Sequence, residues 1–173
     1  MKQWIGLLAR LITGGVWIVA GALKLPDPAS SVRAVRAYEL LPESVVPTVG
    51  HALPVVEVVL GVCTVLGLLT RTMGVLSSLL FVAFIVGISA AWARGLSIDC
   101  GCFGGGGEIA DATAKYPWEI ARDVGLLLLS ARLVIWPRTR WSLDAVVFSP
   151  RAGEVSPGPG EGEELDVEAQ QDR

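Results

Sequence analysis

The arrangement of apolar residues constrains this chain more than any other feature. They fall into blocks of about 20, the length an α-helix needs to cross a hydrocarbon core about 30 Å thick. Four such blocks stand at residues 4–23, 51–69, 73–92 and 118–136. With 52% hydrophobic and only 18% charged residues, the mean hydropathy is +0.56. That is high for a soluble domain and ordinary for a small membrane protein. The pattern predicts an all-α integral membrane four-helix bundle within residues 1–149.

The first block has some marks of a secretory signal, with Lys2 as a charged start and Ala20-Gly21-Ala22 resembling a cleavage site. Arg10 interrupts it, however, and further blocks follow, so a retained helix is expected. Pro26, Pro28, Pro42 and Pro47 punctuate the next stretch. Between them, residues 29–41 read as a short amphipathic helix. Val32, Val35 and Leu40 would face the membrane, and Arg33, Arg36 and Glu39 water. The short turn "TRTM" makes blocks two and three an antiparallel hairpin. Ala83, Gly87 and Ala91 form a small-residue stripe that admits a close helix. Trp92, Trp118, Trp136 and Trp141 stand at block ends as an aromatic belt. Arg10 and Arg132 are expected to snorkel to the nearer headgroups.

Four spans put both termini on one side. Seven basic residues then lie on that side and six on the other, omitting Arg173. Arg71 and the "WPRTRW" exit sit tight against span ends and favour cytoplasmic termini. The loop at residues 94–117 is then extracytoplasmic, on a multi-pass protein of the cell membrane. From Pro150 onward seven acids face two arginines, giving a tail of −5 in a chain of net −3. Its Pro/Gly/Glu composition is that of a disordered segment. No basic stretch exists to match phosphates, so nucleic acid is not an expected partner.

The loop carries "SIDCGCFGGGGE", with Cys100 and Cys102 flanking one glycine. Disulfides persist outside the cytosol, where this loop is expected to lie. Three readings are open. The pair is a redox-active dithiol, with Gly101 relieving the tight ring; it binds a soft metal such as Cu(I) through two thiolates; or it is a structural bridge. A four-ligand zinc site would need Cys63 and His51 as well, and both read as ordinary residues. The glycines after Phe103 lack the Lys-Ser/Thr of a phosphate loop and serve as a tether or a partner's approach.

Glu57 is the strongest polar anomaly within a span, about 9 Å in from its outer end if the helix starts at His51. Ionisable groups at such depth are costly and are usually paired or functional. Arg122 lies about 6 Å into the fourth span by the same rise. Lys24, Glu57, Arg122 and Asp123 are therefore expected to meet beneath the cysteines. There they would tune a thiol pKa or lock the helices together.

Several fragments occur in order: "RLITGGVWIVAGALKLPDP" (10–28), "AYELLP" (37–42), "LPVVEVVLG" (53–61), "DCGCFG" (99–104) and "RD" (122–123). Together they resemble the MauE family of DoxX-like membrane proteins, over residues 4–136. The resemblance implies four transmembrane helices and an accessory role in extracytoplasmic thiol–disulfide chemistry or protein maturation, of the kind named for methylamine utilisation. In that system a disulfide-rich periplasmic dehydrogenase subunit matures with a membrane protein and a thioredoxin-like partner. By this resemblance Cys100 and Cys102 are the working end of a thiol–disulfide oxidoreductase component, with Lys24, Glu57, Arg122 and Asp123 supporting. A quinone between the helices is a chemically reasonable electron carrier, although no residue pattern demonstrates one. The alternatives are a non-enzymatic membrane scaffold or assembly factor, and a Cu(I)-handling protein.

Overall fold

The computed structural model describes residues 2–103, 105, 107–108 and 114–136. Trp141, Arg138, Arg140 and the acidic tail lie outside the described residues. Among the described residues there are five helices: α1 Lys2–Lys24, α2 Pro28–Ala37, α3 Val46–Leu66, α4 Thr70–Ala93 and α5 Tyr116–Ile135. Two short strands, β1 Ile98–Asp99 and β2 Gly107–Glu108, pair antiparallel, with Ile98 opposite Glu108. The architecture is all-α, as the apolar blocks predict. By length and composition α1 (from Trp4), α3 and α4 are apolar enough to cross a membrane. The 20 residues of α5 reach about 30 Å. It carries Glu119, Arg122, Asp123 and Arg132, and turns Asp123 and Ser130 inward.

Local chemistry sets the boundaries. Asp27 caps α2, accepting a hydrogen bond from the Ser30 amide at 3.2 Å, with Pro28 in the first turn, where no amide donor is needed. Pro47 opens α3 in the same way. Helix α3 therefore begins five residues before the expected His51.

The expected hairpin of blocks two and three is not the main packing unit of the bundle. Helix α1 packs most extensively on α3 and also touches α5, α4 packs on α5, and α3 and α4 meet only lightly. The reason is close backbone approach. A Cβ placed on Gly61 would lie 2.7 Å from the Gly14 carbonyl oxygen, and one on Gly21 2.6 Å from the Pro54 carbonyl oxygen. Glycines 14, 21 and 61 thus form the small-residue seam, and it joins α1 to α3. The stripe at Ala83, Gly87 and Ala91 has another use: Gly87 makes room for the Tyr38 ring, not for a helix backbone.

Two further expectations are corrected by packing. Val32 does not face lipid; it is buried against Gly50, so α2 lies on the start of α3. Arg10 does not snorkel, since its side chain is buried within the bundle. Arg132 is partly buried, with its guanidinium 5.0 Å from the Trp136 ring centroid. The mid-bundle core is Trp17, Leu60, Phe81 and Leu126. Trp17 stacks on Phe81 at 4.4 Å, and its indole N–H donates to Ser77 Oγ at 3.0 Å. In an apolar interior that donor would otherwise be left unmade at a cost of about 1–3 kcal/mol.

Candidate functional site

The loop folds back onto the end of the bundle. Cys100 and Cys102 are 7% and 6% exposed and belong to one apolar cluster with Ile88, Ala91, Ile98 and Tyr116. Two tyrosines hold it. The Tyr116 hydroxyl accepts from the Ile98 amide at 2.9 Å and donates to the Leu96 carbonyl at 2.7 Å. The Tyr38 hydroxyl donates to the Cys100 carbonyl at 2.9 Å. Burial pushes the Tyr38 pKa far up, so it stays a donor. The Asp99 carboxylate accepts from the Gly101 amide at 2.9 Å, closing the turn between the thiols.

Gly101 is required twice. Its φ of +65° lies in the left-handed region, and a Cβ there would stand 2.6 Å from the Ala34 Cβ. Gly101→Ala is expected to destabilise the closed loop by about 1–3 kcal/mol and so speed alkylation of both thiols by a small reagent. Ala34→Gly in the same chain removes the clash but not the φ strain, and should restore part of the protection. An unchanged alkylation rate in Gly101→Ala would contradict this packing.

The two thiols are inequivalent. Both are unbridged, and the Cys102 amide points at Cys100 Sγ, 3.4 Å away. Hydrogen bonds from the Cys102 side chain and amide hold the Cys100 pKa below the usual thiol range, against the opposing effects of burial and Glu119. The Cys102 thiol, donating that bond and buried, is pushed well up, and the positive charge of Arg122 offsets this only in part. What favours the Cys100 thiolate is therefore hydrogen bonding from the neighbouring cysteine, not the basic residues expected from the sequence.

Those basic residues do converge beneath the loop, but as two separate pairs. Lys24 Nζ donates to both Glu57 oxygens, at 2.6 and 2.9 Å, and both side chains are buried. Arg122 donates to Asp123 Oδ1 from two nitrogens at 2.9 and 3.0 Å, and its guanidinium lies 4.8 Å from the Phe103 ring centroid. Phe84 borders the cavities on both sides of this division. Lys24 and Cys100 line one of about 270 Å³. Cys102, Phe103, Arg122 and Asp123 border a gap of only about 10 Å³, where Asp123 Oδ2 is buried without a hydrogen-bond partner.

Sequence reasoning passed over Tyr38, Tyr116 and Glu119. Glu119 interacts with Cys100, and its Oε2 is buried and unpartnered. A signal for it existed: it precedes Arg122 and Asp123 by three and four residues, one turn up the same helix face. Cys63, half-buried in α3, and His51, exposed at its start, take no part in the cysteine cluster. Among the described residues no three His, Cys, Asp or Glu side chains gather as metal ligands.

No curated protein and no solved structure matches the chain. A family profile does, that of the methylamine utilisation protein MauE, and it spans residues 2–137, which takes in every described helix and the cysteine loop. On that match the chain is a membrane protein of the MauE family.

Proposed function

We propose that this chain is an accessory membrane protein of the methylamine-utilisation type, whose Cys100–Cys102 pair exchanges disulfides with a thioredoxin-like protein outside the cytoplasm. The observation that carries this reading is geometric: two unbridged thiols one glycine apart are buried in one loop, with the Cys102 amide pointed at Cys100 Sγ, 3.4 Å away.

The chemistry follows from the inequivalence of the two thiols. The Cys100 thiolate attacks a partner disulfide, forming a mixed disulfide and expelling one partner thiolate. Cys102 then loses its proton and attacks Cys100 Sγ, releasing the second partner thiolate. The chain is left with a disulfide and the partner with a dithiol. Run backwards through the same mixed disulfide, the exchange oxidises the partner. Glu119 beside Cys100 and Asp123 facing the Cys102 gap are the carboxylates placed to exchange the protons. Because both sulfurs are buried, the loop has to lift before a protein partner can reach them. A ladder of only two residues per strand offers little resistance.

With cytoplasmic termini, the loop faces the oxidising side. In reduced intact cells a membrane-impermeant thiol reagent is then expected to label Gly101→Ala protein, whose loop opens, without lysis. Labelling only after lysis would reverse the topology. Replacing both loop cysteines by serine is expected to abolish disulfide formation in the client subunit while the protein still accumulates in the membrane. Full client maturation in that variant would eliminate the relay and leave a scaffold.

A further inference from the structure

The two faces of the cysteine pair differ in what can reach them. From outside, a protein partner needs the loop to lift. From within the bundle, Cys100 borders the cavity of about 270 Å³ walled by the end of α1, by α2, α3 and α4, and by the loop. That size is near the lower end of small-molecule sites, about 300–1,000 Å³, and suits a single ring better than a peptide.

The walls of this cavity are apolar, with a few polar groups among them. The Ser31 hydroxyl is 3% exposed, lines the cavity and has no hydrogen-bond partner. Leaving it so costs about 1–3 kcal/mol, and a ligand acceptor would remove that cost. Lys24 lines the same cavity. An ammonium has three donors, and Glu57 accepts two. Phe84 supplies an aromatic face. Leu40, Leu41 and Ala83 are exposed at the rim. In a membrane protein an apolar rim of this kind admits ligands from lipid rather than from water.

We propose that this cavity binds the head group of a lipid-soluble quinone, with Ser31 and Lys24 donating to its carbonyl oxygens, and that the quinone re-oxidises the Cys100–Cys102 dithiol. The proposal rests on the relay reading and sets its direction. The partner's dithiol reduces the loop disulfide, and the loop dithiol then reduces the quinone. In that second step the two thiols lose two electrons and two protons, and one S–S bond forms. The quinone takes up both electrons and both protons as quinol. The substrates enter from opposite sides, so the lipid oxidant reaches Cys100 without the loop opening.

The test uses the full chain in lipid nanodiscs, fully reduced, with decyl-ubiquinone, whose fully substituted ring resists thiol addition. Quinone reduction is expected to saturate with quinone concentration and to yield one quinol per disulfide formed. Ser31→Ala should raise the half-saturating concentration about three- to tenfold, the loss of one hydrogen bond. Ala83→Trp, at the exposed rim, should abolish reduction while the thiols still react with a small aromatic disulfide at the unsubstituted rate. The double-serine protein should retain decyl-ubiquinone through ultrafiltration without reducing it, and Ala83→Trp in that background should release it. Reduction that rises linearly with quinone and ignores Ala83→Trp overturns the site. So does an absence of reduction by a protein whose cysteines are needed for client disulfides, and in that case the relay stands without it. If the double-serine variant matures the client normally, relay and quinone site fall together.

Discussion

Cells producing the Cys102→Ser protein are expected to accumulate a mixed disulfide with an extracytoplasmic thioredoxin-like protein, and cells producing Cys100→Ser are not. A lone Cys100 keeps the backbone amide at position 102 pointed at its sulfur, so part of what favours its thiolate survives the substitution. It attacks, and nothing remains to resolve the product. A lone Cys102 is buried, with Asp123 nearby disfavouring negative charge, so its thiolate is scarce. The pH dependence carries the same asymmetry in the unsubstituted protein. A depressed pKa means that Cys100 alkylation rises with pH through a midpoint below that of an ordinary thiol. Cys102 alkylation should rise only well above it. Mass spectrometry of reduced protein alkylated at a series of pH values separates the two sites. Equal midpoints, or trapping through Cys102 alone, would invert the assigned roles.

The second large effect is expected at the Lys24–Glu57 pair. Thirty-three residues apart, the two side chains meet through two hydrogen bonds and are almost wholly buried. Removing one partner leaves a charge in the bundle interior, which costs about 3–5 kcal/mol. Lys24→Met and Glu57→Leu should therefore each destabilise the protein severely in mixed-micelle denaturation. The double variant should recover most of the loss, because a buried pair replaced by apolar groups of similar volume is often neutral. If the double variant is as unstable as the two single losses summed, the side chains do not act as a pair. Recovered stability without restored activity would show that the pair also serves the site.

The two pairs illustrate what spacing alone can convey. Counting rise per residue put Glu57 and Arg122 at similar depths, close enough to expect a single cluster. With α3 starting at Val46, Glu57 lies about 16 Å from the helix start. Phe84, which borders both cavities, comes from α4, a helix without a charged residue beyond Arg71. No pattern in the loop or around Glu57 could announce it. Glu119 was legible in principle, since it shares a helix face with Arg122 and Asp123. Tyr38 was not, because it reaches Cys100 across 62 residues of sequence.

The sequence by itself determined that this is an α-helical membrane protein with one chemically distinctive loop. Hydropathy blocks and proline punctuation are local, and a helix satisfies its own backbone wherever it packs. It also carried the family, because ordered fragments survive without knowledge of contacts. Only the tertiary structure decided which helices touch, that Gly14, Gly21 and Gly61 make the close seam, and that the charges divide into two pairs. It alone distinguished Cys100 from Cys102. Those outcomes depend on contacts between residues far apart in the chain. Two thiols one glycine apart look alike until the bundle gives each a different neighbourhood.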